Sequence, residues 1–200
     1  MLRSLVAFAA TALLACSTFA AATIGQPAPS FSAVDVISGK PISNESLKGK
    51  TVVVEWNNFG CPFVKKFYGS NTMQTLQAKA VKDGVVWVSI NSSAAGKEGH
   101  LKDAAEAKAA LSEHKHAGSH YLLDHDGSIG HAFGAKTTPH MYVINKEGVL
   151  AYQGAIDDSP STDGDPRLAR NYVREAVNAV LAGNPAAVGN TKSYGCGVKY

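Results

Sequence analysis

The chain alternates between short apolar β-branched runs and longer segments of helical spacing. Val52-Val53-Val54-Glu55-Trp56 is the strongest run. Three consecutive valines fit a strand buried on both faces, as at the centre of a partly parallel sheet. Val85 to Ile90 repeats the pattern, and Tyr121-Leu122-Leu123 gives a shorter version. Phe31 to Val36 alternates apolar and polar residues, as a half-buried strand does. Ser38-Gly39-Lys40-Pro41 then turns the chain into a short return strand at Pro41-Ile42-Ser43. Met141 to Asn145 and Val149 to Gln153 flank Lys146-Glu147-Gly148 and predict an antiparallel hairpin.

Helical spacing occupies the gaps. A helix follows Cys61 and carries Phe63, Val64, Phe67 and Tyr68. It breaks near Gly69-Ser70-Asn71 and resumes over Thr72 to Lys82. Leu101 to His116 reads as an Ala-rich helix, and Ser128 to Phe133 as a turn or a single helical turn. The last helix is predicted to start at an Asp165 cap with Pro166 in its first position, and to end at Gly183-Asn184-Pro185. Its expected apolar stripe runs from Leu168 through Tyr172, Val173, Ala176 and Val177 to Val180 and Leu181. This order predicts an α/β fold with a central mixed β-sheet flanked by helices and an N-terminal β-hairpin extension.

The two ends read differently. Residues 1–22 combine a basic start, an apolar stretch too short to span a bilayer and a run of small residues, the pattern of a secretory signal peptide. The expected location is therefore periplasmic or secreted. A lipoprotein anchored through Cys16 is the alternative, because Leu13-Leu14-Ala15-Cys16 resembles a lipid-processing box. Residues 23–184 form one domain, and residues 185–200 an irregular, Gly-containing tail that carries Cys196. With 19 basic and 16 acidic side chains scattered along it, the chain has no nucleic-acid signature. No integral membrane span is expected in the mature chain.

The chemistry centres on Cys61. Pro62 right behind it has no N–H to lose at a helix start, which makes Cys61 the expected N-cap. Free backbone N–H groups and the positive end of the helix dipole then face its sulfur and favour thiolate over thiol. Cys196 is the other cysteine left after export, where disulfides persist. The two form either a reversible redox pair or a structural staple. No histidine spacing among His100, His114, His116, His120, His125 and His131 matches a tight ligand set. Neither metal nor cofactor is expected.

These residues resemble a family. The strand–helix order with a helix-opening cysteine after the first core strand resembles the thioredoxin fold. Pro27-Ala28-Pro29-Ser30-Phe31 and Ser38-Gly39-Lys40 are similar to the extension of its alkyl hydroperoxide reductase/thiol-specific antioxidant branch. Cys61-Pro62-Phe63-Val64-Lys65-Lys66, Asn91-Ser92-Ser93, Ala155-Ile156-Asp157-Asp158 and Gly195-Cys196-Gly197 look like the peroxiredoxin-like subgroup. The resemblance implies a cis bond at Thr138-Pro139, with Thr138, Pro139 and Pro62 meeting substrate. It also implies a buried carboxylate at Glu55 that relays protons. The implied function is thiol–disulfide exchange by Cys61, with Cys196 as candidate resolving thiol and with protein or small-molecule thiols and disulfides as partners. A thiol-dependent peroxide reductase and a non-catalytic binding module with a structural disulfide are the alternatives. Two departures matter. Val64 stands where thioredoxins carry their second cysteine. Asn58 stands where peroxiredoxins carry a Thr or Ser, and the mature chain's arginines, Arg167, Arg170 and Arg174, all fall in the expected final helix.

Overall fold

A computed structural model describes residues 22–200. The signal-peptide expectation for residues 1–22, all but its last residue, and the Cys16 alternative lie outside the described residues. The centre is a five-stranded mixed sheet built from β3 (Val52–Trp56), β4 (Val86–Asn91), β5 (His120–Leu123), β7 (His140–Ile144) and β8 (Leu150–Gly154), in the order β5-β4-β3-β7-β8. β3 runs parallel to β4 and antiparallel to β7, with Glu55 beside Ser89 on one side and Met141 on the other. All five β3 residues are buried, as a central strand with helices on both faces requires. β1 (Ser32–Val34) and β2 (Pro41–Ser43) form the N-terminal hairpin.

Strand alternation divides β3 between two cores. Val53 faces α1 (Pro62–Gly69), α2 (Thr72–Lys82), α3 (Ala104–Glu113) and α5 (Tyr172–Leu181), packing with Phe67, Met73, Trp87, Tyr121 and Val173. Val52, Val54 and Trp56 face α4 (Ser128–Phe133) and the hairpin, packing with Ile90, Phe133 and Tyr142. Trp56 and Trp87 are both core residues with no exposed surface, as buried aromatics usually are. Among the described residues no helix is long and apolar enough to cross a membrane.

Three elements differ from the sequence expectation. The last helix starts at Tyr172 with Asn171 as its cap, not at Asp165-Pro166. Tyr172 N–H donates to the Ile156 carbonyl at 3.0 Å and Asp157 bridges to Asn171, so this stretch is held extended and the helix begins only after it. Asp165 instead accepts from the Arg167 N–H and guanidinium in an exposed turn. Leu168 consequently lies 86 % exposed, outside the apolar stripe. Residues 128–133 form a six-residue helix, because the buried Asp124 carboxylate accepts the Ile129 and Gly130 N–H groups at its start. Finally, the tail is not irregular throughout. Its Cys196–Gly197 forms β9, paired antiparallel with β6 (Thr137–Thr138).

Candidate active site at the start of helix α1

The turn between β3 and α1 is built by Asn58. Its Oδ1 accepts the Gly60 N–H at 2.8 Å, its Nδ2 donates to the Glu98 carbonyl at 3.1 Å, and its own carbonyl accepts the Cys61 N–H at 3.0 Å. Gly99 packs so tightly on this amide that any Cβ there would overlap it. Cys61 follows as the N-cap of α1 in an extended conformation, with Pro62 in the first helical position. The placement agrees with the sequence argument, but the sulfur is fully buried rather than open.

The tail packs against the core cluster that contains Cys61. In the β6–β9 pairing, Cys196 lies directly opposite Thr138. The thiol of Cys61 donates to the Thr138 carbonyl at 3.0 Å, and the Thr138–Pro139 bond is cis. Thr138 and Pro139 thus sit beside the sulfur, and Pro62 is exposed at the helix start. Burial pushes the Cys61 thiol up. The Cys196 side chain, Thr138 and the Val64 and Cys196 N–H groups outweigh it, and the thiol ends below its ordinary value. Cys196 moves the other way. Burial, its hydrogen bond to Cys61 and the charge on that sulfur push it up to about 12. Both cysteines are free thiols here.

Glu55 lies below this turn on β3, with no exposed surface. Its Oε1 accepts from Asn57 Nδ2 at 3.0 Å and from the Tyr68 hydroxyl at 3.1 Å. Its Oε2 accepts from Gln77 Nε2 at 3.0 Å, and from Trp87 Nε1 and Ser89 Oγ at 2.9 Å. Cys61 is not among its direct partners. The cage ties β3, α1, α2 and β4 to one carboxylate, and Ser89 Oγ also meets His116 Nε2 at 2.9 Å.

A second buried cluster flanks the site. Lys66 and Asp157 are both buried, with Lys66 Nζ 4.0 Å from Asp157 Oδ2 and donating to the Ser159 carbonyl at 2.6 Å. The Tyr194 hydroxyl donates to Asp157 Oδ1, and the Tyr194 ring meets Phe63 edge-on at 5.7 Å between centroids. Asp157 therefore anchors the tail through Tyr194, two residues before Cys196. Sequence reasoning did not find Asn58 or Tyr194 as site-building residues. The available signal was the pair of tyrosines, Tyr194 and Tyr200, bracketing a cysteine in an otherwise small-residue tail. The arginines lie apart: Arg167 pairs with Asp165 and Arg170 with Glu175, both exposed.

A family model described as Redoxin matches residues 23–169. No curated protein matches the chain significantly. Among solved structures, an uncharacterized conserved protein from Geobacillus kaustophilus is 27 % identical with a TM-score of 0.78, covering 92 % of this chain and 94 % of its own. A hypothetical protein from Sinorhizobium meliloti is 24 % identical with a TM-score of 0.74, covering 90 % and 96 %. A thiol:disulfide interchange protein from Bacteroides is 18 % identical with a TM-score of 0.53, covering 66 % and 81 %, a likeness of fold.

Proposed function

The chain belongs to the Redoxin family, and from that premise we propose that it is a thiol–disulfide oxidoreductase with Cys61 as nucleophile and Cys196 as resolving thiol. The observation that carries the proposal is the pairing of β9 with β6, which sets Cys196 directly opposite Thr138, the residue whose carbonyl accepts the Cys61 thiol. The Cys61 thiolate attacks one sulfur of a partner disulfide. A new S–S bond joins Cys61 to the partner, and the partner's other sulfur leaves as thiolate. Cys196 then loses its proton to water, attacks the Cys61 sulfur and forms a Cys61–Cys196 disulfide, releasing the partner's second thiolate. In reverse, the chain's disulfide oxidises a partner dithiol.

The opposed acidities order these steps. While Cys61 is a thiolate, its charge and its hydrogen bond help hold the proton on Cys196. Once Cys61 is in a mixed disulfide, both influences disappear and Cys196 becomes easier to ionise. Thr138, Pro139 and Pro62 are assigned to substrate contact because they surround the sulfur, and Glu55 is assigned to holding the elements beneath it. A peroxide reductase is less well supported. The groups that lower Cys61 are Val64, Thr138 and Cys196, and two of the three arginines among the described residues are engaged elsewhere. We further assign residues 1–22 to export, on their sequence pattern.

Glutathione disulfide added to the reduced chain tests the reading. The expected product is a Cys61–Cys196 disulfide in the parent protein and a glutathione adduct on Cys61 in Cys196→Ser, both read by peptide mass. Absence of any disulfide on Cys61 in both proteins refutes the exchange.

A further inference from the structure

We propose that the C-terminal strand occupies, within the molecule, the edge that an extended disulfide-bearing polypeptide must pair with to reach Cys61, so that polypeptide exchange requires the tail to leave. The inference rests on the exchange reading above and adds its substrate class and its gate.

The edge is defined by backbone groups. β6 presents Thr137 and Thr138 to a strand running antiparallel to it, and Thr138 touches the reactive sulfur. An exposed strand edge beside a reactive sulfur can take up an extended segment, with backbone hydrogen bonds supplying affinity and sequence tolerance. Here the tail fills that place residue for residue, Gly197 opposite Thr137 and Cys196 opposite Thr138. The Val198 N–H continues the pairing to the Lys136 carbonyl at 3.1 Å. With the tail seated, Cys61 has no exposed surface, so a polypeptide disulfide has neither an edge to pair with nor a sulfur to meet.

The tail is held by contacts on both sides of Cys196. Before it, Tyr194 is bound to Asp157 and stacked edge-on against Phe63. After it, the Ala94 N–H donates to the Lys199 carbonyl at 2.8 Å. The Tyr200 hydroxyl donates to the Ala135 carbonyl at 2.9 Å, and its ring stacks on His131 at 4.0 Å. Between these anchors Gly195 has φ +139°, and a Cβ there would overlap the Thr138 carbonyl. Only glycine fits that position while the strand is seated, because both the conformation and the close approach exclude a side chain. The chain therefore passes close against the edge at the point where a competing strand would enter.

Exchange on the freed edge balances as above. The Cys61 thiolate bonds to one sulfur of the polypeptide, the polypeptide's S–S bond breaks, and its second sulfur stays on the polypeptide as thiolate.

The test uses full-length protein carrying Cys196→Ser, which keeps the backbone pairing and leaves any adduct trapped on Cys61. Into it go, separately, Gly195→Ala, which cannot seat against Thr138, and Val198→Pro, which removes the N–H donated to Lys136. Amide exchange over residues 193–199 reports whether the tail is released. Adduct formation on Cys61 is timed with insulin as polypeptide disulfide and with hydroxyethyl disulfide as small one. The expected result is loss of tail protection, a gain of about tenfold or more toward insulin, and a clearly smaller gain toward the small disulfide; tenfold corresponds to about 1.4 kcal/mol of edge competition. Equal gains toward both disulfides overturn the proposal, since the tail then shields the sulfur without holding a docking edge. No gain toward insulin with the tail released also overturns it, as does unchanged tail protection in both variants. If no protein forms an adduct with either disulfide, the exchange reading itself fails, a result distinct from the others.

Discussion

Replacing Glu55 by Gln changes a single oxygen to an NH2 group inside a cage of donors. Five donors and no acceptor other than the reorientable Tyr68 and Ser89 hydroxyls face the two carboxylate oxygens. The amide nitrogen has a better place at Oε1, where only Asn57 and Tyr68 converge, because Oε2 takes donors from Gln77, Trp87 and Ser89. Even there, the new N–H pair faces the Asn57 amide, whose own oxygen is engaged by the Tyr121 hydroxyl at 3.1 Å. Tyr68 can turn to accept, but Asn57 must lose its bond. The remaining bonds also lose their charge. A hydrogen bond to a charged group contributes about 1.5–3 kcal/mol and a neutral one about 0.5–1.5 kcal/mol. One bond lost and several weakened give a gross loss of about 3–6 kcal/mol. Relief from burying a charge without a cation offsets part of it, leaving about 2–4 kcal/mol. That is a large share of the roughly 5–15 kcal/mol that holds a domain together. Urea unfolding of reduced protein reads it as a lower midpoint at unchanged slope. A Glu55→Gln protein within about 0.5 kcal/mol of the parent, the lower bound for even one neutral hydrogen bond, refutes the cage as a stabilising element. Exchange rates measured on folded protein then separate positioning from proton transfer. A positioning role lowers the rate by a similar factor at all pH values, whereas a proton relay changes the shape of the pH profile.

Three further outcomes follow from single residues. Iodoacetamide should label Cys61 of the reduced chain at pH values below the ordinary thiol range, the rate falling only as pH drops through the lowered pKa. Cys196→Ala removes the largest lowering influence and should move that profile upward, so an unchanged profile refutes the assignment. Asp35 is buried. Burial pushes its carboxyl up, but bonds from Ser38, Tyr121 and His120 prevail and hold it at about 2, against 3.8 for a free group. A depressed acid stabilises the fold fully above its unfolded pKa and loses that contribution as pH falls toward its folded one. Up to ~2 kcal/mol should therefore disappear between about pH 4 and pH 2, and Asp35→Asn should flatten that slope in acid titrations of unfolding. Asn171→Ala deletes the bond its Oδ1 accepts from the Arg174 N–H at 2.8 Å and should cost about 1 kcal/mol in denaturant midpoint, while Asp165→Ala should leave the helix untouched.

Where local chemistry decides an element, the sequence shows it. The three valines of β3, the Pro62 start of α1 and the α2 span depend on burial pattern and on proline's missing N–H, both visible in a short window. The start of α5 is not legible in this way, because two windows compete. Asp165-Pro166 is a sound local start, and it loses to the pairing of Tyr172 with Ile156, a contact between residues distant in sequence. The tail shows the same limit. Its glycines indicate freedom to bend, yet in the fold Gly195 is needed for a close approach to Thr138, and flexibility in sequence becomes tight docking in space. Glu55 is legible as buried from its valine neighbours. Its five partners are not, since they come from the β3–α1 turn, α1, α2 and β4.

The pair of cysteines gains its direction from fold asymmetry rather than from the residues themselves. Cys61 is fixed at a helix start, where backbone N–H groups act on it in every state of the tail. Cys196 rides on a two-residue strand and feels Cys61 only while β9 is paired with β6. Undocking the tail thus removes Cys196's thiol and N–H from Cys61 but leaves the Val64 N–H in place. The nucleophile loses these two donors at the moment it becomes reachable, while the burial that pushes its thiol up is relieved by the same step. It nevertheless stays the more acidic of the two, since its remaining donors belong to the core and Cys196 has none of its own there. A disulfide that enters once the tail has left should therefore be attacked by Cys61 and not by Cys196, and Cys196 acts only when the strand returns to the edge from which the partner's own segment has departed.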